Sequence, residues 1–177
     1  PHALLFNGTD GSGNLATAVA FAQYLFCVNR QGNDSCGTCP SCVKTTKLVH
    51  PDLHFVFPII KSKYVKSSAD VIKEFREAFL EAPYLNINDW CDFLGAENKQ
   101  PIIPVEESGH IIKELSYTSY EGQYKMMIIW QPEKMNPEAA NKLLKVLEEP
   151  PEQTIFMLVC NNTDALLSTI ISRVQQI

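Results

Sequence analysis

The chain carries the frame of a phosphate-binding loop immediately after a stretch that is typical of a buried strand. The loop is Gly8-Thr9-Asp10-Gly11-Ser12-Gly13-Asn14-Leu15, and the strand before it is Ala3-Leu4-Leu5-Phe6. In the motif G-x-x-x-x-G-K-[ST], backbone N–H groups close on phosphate oxygens, the lysine binds the outer phosphates and the hydroxyl binds magnesium. Asn14 stands at the lysine position and Leu15 at the hydroxyl position. The sequence therefore predicts a nucleotide-binding fold in which ATP does not bind productively.

The catalytic strand of a nucleotide site is also altered. In a nucleotidase of this kind, the strand predicted at 125–130 would end in carboxylates that hold magnesium and activate water. Here Trp130 and Gln131 occupy those positions. Glu133 lies two residues further along, but a carboxylate beside Pro132 at a helix start is more often a cap or a solvated charge. Because the loop and the strand have both lost their catalytic side chains, no ATPase activity is predicted.

Apolar strands alternate with helices along the chain. Strands are predicted at 3–6, 53–60, 125–130, 154–160 and 174–177, and helices at 14–27, in a stretch ending at 49, at 71–80, 105–117 and 137–148, and around 170–173. Near-continuous apolar strands separated by helices indicate an α/β fold, with a parallel sheet covered by helices on both faces. The stretch 82–104 has no clear period, and residues 60–100 are predicted to form a peripheral insertion.

Four of the six cysteines are clustered with the spacing of a metal site. Cys27, Cys36, Cys39 and Cys42 follow the pattern C-x8-C-x2-C-x2-C. Two C-x2-C steps and a returning loop rich in Gly, Asn and Asp place four thiolates within reach of one tetrahedral ion. Structural zinc is the favoured interpretation, with an iron–sulfur cluster and disulfides as the weaker alternatives. The module is assigned to residues 27–42.

Composition limits the classes of function. The net charge of −5 and a pI of about 5.4 argue against a free-standing nucleic-acid binder, which usually has a basic face. No run of about 18 apolar residues marks a membrane span, and no signal peptide opens the chain. We expect an intracellular, cytoplasmic protein, and the abrupt start at Pro1 and end at Ile177 suggest an excised domain.

Ser172 and Arg173 follow the last short predicted helix, near the edge of the domain. An arginine that projects there could stabilise phosphoryl transfer in a neighbouring subunit's site. From the residues alone, a surface arginine in a salt bridge is the more ordinary interpretation. The helix before it, which ends in Glu148-Glu149-Pro150-Pro151, is by the same standard a plain amphipathic helix.

Together these segments resemble the N-terminal AAA+ domain of the δ′ subunits of bacterial DNA polymerase III clamp loaders. Four features match in order: the strand 2–6 with its glycine loop, the four-cysteine module, the helix 141–151, and Ser172-Arg173. The resemblance covers almost the whole chain, with 60–100 as the insertion. The family motif is Ser-Arg-Cys, and this chain has Val174 in place of the cysteine. Because the arginine supplies the positive charge, this difference leaves the implied role of Arg173 in place.

The resemblance implies a single AAA+ (RecA-like) domain over 1–177, without the lid and collar that follow it in the family, and therefore a monomeric fragment. It implies a non-catalytic stator that donates Arg173 to a neighbouring ATP site. The implied partners are the γ/τ motor subunits and δ, and, through the complex, the sliding clamp and primed DNA.

Two alternatives stay open. They are an ATP-hydrolysing γ/τ-type motor, disfavoured by Asn14, Leu15, Trp130 and Gln131, and a zinc-containing nucleic-acid binder, disfavoured by the charge.

Overall fold

The computed structural model describes residues 2–96 and 98–177 and contains one parallel five-stranded sheet. The strands are β1 (Ala3–Asn7), β2 (Leu53–Val56), β3 (Lys125–Trp130), β4 (Thr154–Cys160) and β5 (Gln175–Gln176). The helices are α1 (Asn14–Phe26), α2 (Pro40–Thr46), α3 (Ile72–Glu81), α4 (Ile87–Phe93), α5 (Glu106–Ser116), α6 (Pro137–Glu148) and α7 (Ser168–Ile171). The strand order is β2-β3-β4-β1-β5, with every neighbouring pair parallel. The predicted α/β class and parallel sheet are confirmed.

The sheet is covered on both faces because successive side chains of a strand point to opposite sides. One core contains Met126, Ile128 and Trp130 of β3 against residues of α1, α3 and α4. The other contains Met127 and Ile129 of the same strand against residues of α5, α6 and α7. Three short 3₁₀ turns complete the chain, at Ser68–Val71, Pro132–Lys134 and Thr163–Ala165. Within 2–96 and 98–177, every helix is too short or too polar to cross a bilayer.

Several predicted boundaries differ from the structure. β2 ends at Val56 rather than at residue 60, because Pro58 has no N–H for the ladder and Ile59 pairs antiparallel with Ile102 instead. The helix predicted to end at 49 stops at Thr46, and β5 covers only 175–176. The prediction of irregular structure over 82–104 was wrong for 87–93, which form α4.

The helix α4 begins at a capping box. The Asn86 side chain accepts hydrogen bonds from the backbone N–H groups of Asn88 and Asp89 at 2.9 and 3.0 Å, and the Asp89 carboxylate accepts from Asn86 N at 3.3 Å. This reciprocal pairing satisfies N–H groups that a helix start otherwise leaves free. The box fixes where the chain turns back toward the sheet.

Residues 60–100 lie partly in the core rather than at the periphery. Phe75 and Trp90 are fully buried, their rings meet edge to face with centroids 5.6 Å apart, and Trp90 Nε1 donates to Pro58 O at 2.7 Å. Phe75 also contacts Trp130 of β3, with ring centroids 5.8 Å apart. The prediction of a peripheral position is therefore wrong for these helices. Whether the segment is an insertion relative to other family members stays a prediction.

Candidate functional site: a filled phosphate loop, an edge arginine and a cysteine cluster

The phosphate-loop frame joins β1 to α1, as predicted, but side chains occupy the space over two of its three glycines. Gly11 and Gly13 have φ values of 77° and 82°, in the left-handed region that favours glycine. A Cβ added to Gly8 would lie 2.7 Å from Asn14 Nδ2, so the Asn14 amide folds directly over that glycine. The residue that replaces the lysine thus fills part of the cradle.

Tyr84 covers Gly13, the last glycine of the loop. A Cβ on Gly13 would lie 2.8 Å from Tyr84 Cε1, which shows how closely the ring sits against the backbone. The cavity that remains among the loop, Tyr84, Trp130 and Asn161 has a volume of about 10 Å³. That is room for about one water molecule. Tyr84 and Asn14 therefore occupy the space beside the loop backbone where phosphates lie in a working loop.

A carboxylate also lies at the loop. Asn161 Nδ2, at the end of β4, donates to Asp10 Oδ1, and Gly8 N donates to Cys160 O at 3.2 Å. The Asn162 side chain accepts from Asp164 N at 3.1 Å and caps the turn that follows. The two amides after β4 therefore have intramolecular partners. Asp10 places negative charge where a nucleotide would bring its phosphates.

The end of β3 has no carboxylate at either predicted catalytic position. Trp130 and Gln131 are each 2% exposed, and Gln131 adopts a φ of 54°. Glu133 Oε1 accepts from Asn161 N at 3.0 Å, while its Oε2 is buried without a hydrogen-bond partner. Burial raises the pKa of the Cys160 thiol to about 12, and the nearby Glu133 charge adds to the shift. Glu133 therefore ties the ends of β3 and β4 together, rather than acting as a helix cap or a solvated charge.

Restoring the loop residues alone is expected to leave nucleotide binding undetectable. The double variant Asn14→Lys, Leu15→Thr returns the motif side chains, but Tyr84 still covers Gly13 and β3 still lacks its carboxylates. We expect no saturation at millimolar fluorescent ATP analogue with magnesium. The triple variant that adds Tyr84→Ala is the matched comparison. Tight binding by the double variant would show that Tyr84 does not close the loop.

Arg173 lies just after α7 and pairs with a residue of its own chain. Arg173 Nη2 lies 2.5 Å from Glu148 Oε1, at the end of α6, and Nη1 donates to Thr169 O at 2.8 Å and to Ser172 Oγ at 3.2 Å. The side chains of Arg173 and Glu148 are 34% and 48% exposed. In the isolated chain, the arginine is therefore an accessible surface residue in a salt bridge.

The four clustered cysteines converge as their spacing predicts. Their Sγ atoms all lie within 4.8 Å of one another, and Cys36 Sγ and Cys42 Sγ are 4.0 Å apart. A tetrahedral zinc ion with Zn–S bonds of about 2.3 Å would hold its sulfurs roughly 3.8 Å apart, so the cluster needs only small shifts to bind one. Cys27 follows α1 directly, and Cys39 and Cys42 lie at the start of α2. The two helices bring the ligands together.

Backbone N–H groups point at the sulfurs, as they do around bound thiolates. Cys36 N donates to Cys27 Sγ and Cys39 N to Cys36 Sγ, each at 3.3 Å. Hydrogen bonds from the backbone N–H groups of Thr38 and Cys39 lower the pKa of Cys36 to about 6. Burial raises the pKa of Cys42 to about 12, so its thiolate needs a cation beside it. This donor set fits a thiolate-binding metal ion, and all six cysteines of the chain are free thiols.

Two contacts of the site were not predicted from the sequence. Tyr84 reaches the loop from the turn between α3 and α4, and no local pattern marks a tyrosine as the cover of a distant glycine. Glu148 forms the salt bridge with Arg173. Both contacts join segments that lie far apart in the sequence.

The whole chain, residues 1–177, matches the protein family described as DNA polymerase III, delta subunit. Among curated proteins, it is 32% identical over 174 residues to the DNA polymerase III subunit delta′ of Yersinia pestis, a match that covers 97% of this chain and 39% of that protein. The Bacillus subtilis subunit delta′ is also 32% identical over 174 residues, covering 98% of this chain and 40% of the relative. The chain therefore spans about two fifths of the length of these relatives.

More distant similarities point to the tau/gamma subunits. The subunit tau/gamma of Haemophilus influenzae is 26% identical over 175 residues, covering 99% of this chain and 20% of that protein. Among solved structures, a DNA polymerase III, gamma subunit-related protein from Thermotoga maritima is similar with a TM-score of 0.52 at 16% identity, over 99% of this chain and 40% of that one. At that identity, the structural similarity concerns the fold alone.

Proposed function

Since the chain belongs to the family described as DNA polymerase III, delta subunit, we propose that it is the N-terminal AAA+ domain of a δ′-type stator, a subunit of the clamp loader that hydrolyses no ATP itself. In this role it would help the loader place the sliding clamp on primed DNA during replication. Its partners would be the γ/τ motor subunits and δ, and it would meet the clamp and primed DNA through the complex. The replisome at the nucleoid, in the cytoplasm, is where it would act.

The observation that carries the proposal is the filled phosphate loop. Asn14 lies over Gly8, Tyr84 lies over Gly13, and the cavity left between them has a volume of about 10 Å³. Trp130 and Gln131 stand where β3 would supply magnesium ligands. A motor subunit needs the lysine, the hydroxyl and the acidic strand end together, because its catalysis depends on positioned charges around the phosphates.

The exposure of Arg173 supports a role in ATP hydrolysis at the site of a neighbouring subunit. The arginine is partly exposed at the edge of the sheet, and its partner Glu148 is more exposed still. An ion pair at such a surface contributes only about 0–1 kcal/mol, so exchanging Glu148 for the phosphates of an adjacent ATP costs little. Ser172 Oγ donates to Thr169 O at 3.0 Å and helps to keep the end of α7 in place beside the arginine. Arg173 would then act as a trans arginine finger.

We assign structural zinc to the cysteine cluster. Four protein thiolates close a tetrahedral site and leave no position for water, which is the arrangement of a structural ion. Bound zinc would neutralise the four thiolates. It would also hold the segment 27–42 in place at the junction of α1 and α2. Cys27, Cys36, Cys39 and Cys42 would each supply one Sγ.

A γ/τ-type motor is the second candidate, because tau/gamma subunits are among the chain's relatives. Reconstitution with the full-length protein separates the two. For a stator, a loader assembled with purified δ, γ/τ and clamp loads the clamp on primed DNA only when this subunit is present, and loading depends on the phosphate-loop lysines of γ/τ. If the full-length protein hydrolyses ATP by itself, or if a loader without it loads clamps at full rate, the stator proposal fails.

A further inference from the structure

The segment 77–96 carries charges of one sign. It contains the acids Glu77, Glu81, Asp89 and Asp92, and no lysine, arginine or histidine. The segment folds as the end of α3, a turn and α4, and it buries Trp90 while its acids stay exposed. The outer surface of the turn and of the helix ends beside it is therefore negative. Lys73 and Arg76 lie earlier on α3, outside this segment.

A groove with an apolar floor runs along this surface, with a volume of about 320 Å³. The residues that form this α3–α4 groove are Ala78, Glu81, Ala82, Leu85, Asp89, Asp92 and Phe93. Ala78 and Leu85 lie at its buried base, and Phe93 is 41% exposed along its side. The three carboxylates are exposed at its rim. An apolar groove rimmed by charges of one sign is typical of a peptide-binding surface.

The charge decides which occupant fits. A nucleic-acid backbone would bring phosphates toward three carboxylates, and a second copy docked through the same face would set the two acidic rims against each other. A segment with one apolar side chain for the floor and lysine or arginine on either side complements both the floor and the rim. We propose that the α3–α4 groove docks a basic, amphipathic segment of another protein. This goes beyond the proposed function, because it requires neither nucleotide nor Arg173.

A segment docked in the groove would contact the turn whose Tyr84 covers the phosphate loop. Leu85, at the base of the groove, is also part of the turn that holds Tyr84 over Gly13, and it lines the small cavity at the loop. A segment seated against Leu85 would hold this turn in place. The partner therefore docks on the part of the chain that keeps the nucleotide site filled.

A peptide titration tests the chemistry with the full-length protein. The probe is a labelled helical peptide with a leucine stripe flanked by lysines, and its control is the same peptide with glutamines for lysines. We expect the lysine peptide to bind about tenfold or more tighter than the glutamine peptide, because it alone complements the rim. The variants Glu81→Lys and Asp92→Lys lose about tenfold in affinity, while Glu77→Lys, one helical turn before Glu81 and outside the groove, changes it by less than about threefold. Equal effects of Glu81→Lys and Glu77→Lys would overturn the proposal.

Photo-crosslinking identifies the occupant. A photoreactive amino acid replaces Phe93 in the full-length protein within the reconstituted loader, and replaces Ile112, which is 52% exposed on α5, as the control. We expect a crosslink from position 93, and none from 112, to a basic amphipathic segment of one partner subunit, lost in Glu81→Lys. Crosslinking to the remainder of the same chain, to a second copy, or to nothing would overturn the proposal. The stator proposal rests on the phosphate loop and Arg173 and assigns no role to Glu81, so these failures leave it standing.

Discussion

An Arg173→Ala variant of the full-length protein is expected to slow ATP hydrolysis at the adjoining motor site by about 10³-fold or more. The alanine removes the cation that would neutralise charge on the transferred phosphoryl group. The fold loses the partly exposed ion pair with Glu148 and the hydrogen bonds from Arg173 Nη1 to Thr169 O and Ser172 Oγ. Because the variant changes only the site that Arg173 would face, steady-state turnover of the whole loader would fall less than hydrolysis at that site. Single-turnover hydrolysis and the rate of clamp loading by the reconstituted loader therefore measure the effect.

The matched control is Glu148→Gln, which breaks the same ion pair and keeps the arginine. We expect its hydrolysis and loading rates to stay within about twofold of the wild-type rates, since a surface pair contributes about 0–1 kcal/mol. If Glu148→Gln slowed the loader as strongly as Arg173→Ala, the ion pair itself would be the functional element. Unchanged kinetics in Arg173→Ala would remove the arginine from the neighbour's site altogether.

Removal of the metal from the cysteine cluster is expected to have the largest effect on stability. The Cys42→Ser variant should unfold with a free energy lowered by about 4 kcal/mol or more, part of the ~10–16 kcal/mol apparent binding free energy of structural zinc in small peptides. Cys42 is fully buried in the first turn of α2, so the variant also loses the contact that holds the segment 27–42 in place. Denaturant unfolding gives the change, and elemental analysis should find one zinc per wild-type chain and none in the variant.

Cys91→Ala is the control for this experiment, because Cys91 is buried on α4 outside the cluster. It should keep its zinc and lose only about 1 kcal/mol. A strong chelator should lower the stability of the wild type to that of Cys42→Ser. If chelation left the wild type unchanged and no zinc were found, the cluster would hold no structural metal.

Strand positions could be predicted well from the sequence wherever the signal was local. β3 and β4 are continuous apolar runs between polar residues, and the structure has them at the predicted residues 125–130 and 154–160. The start of α6 was equally clear, because Asn136 caps the helix and Pro137 occupies its first position. The convergence of four cysteines also followed from spacing alone, since C-x2-C steps limit where the sulfurs can go.

The features that could not be predicted depend on contacts between segments that are distant in the sequence. The cap at Asn86 was present in the sequence, but its polar, proline-containing surroundings favoured irregular structure over a helix. The burial of Trp90 depends on the carbonyl of Pro58 as its hydrogen-bond acceptor, and the cover over Gly13 depends on Tyr84. Sequence reasoning could show that the phosphate loop lacked its lysine and its hydroxyl. It could not show that other side chains fill the space.

Titration of the chain with a fluorescent ATP analogue in the presence of magnesium, combined with a hydrolysis assay, tests the central claim most directly. With Asn14 and Tyr84 over the loop glycines, we predict no binding at millimolar nucleotide and no turnover above the background of a protein-free sample. Saturable, tight binding accompanied by hydrolysis would contradict the stator account. It would place the chain among the motor subunits, with residues other than Asn14 and Gln131 performing the chemistry.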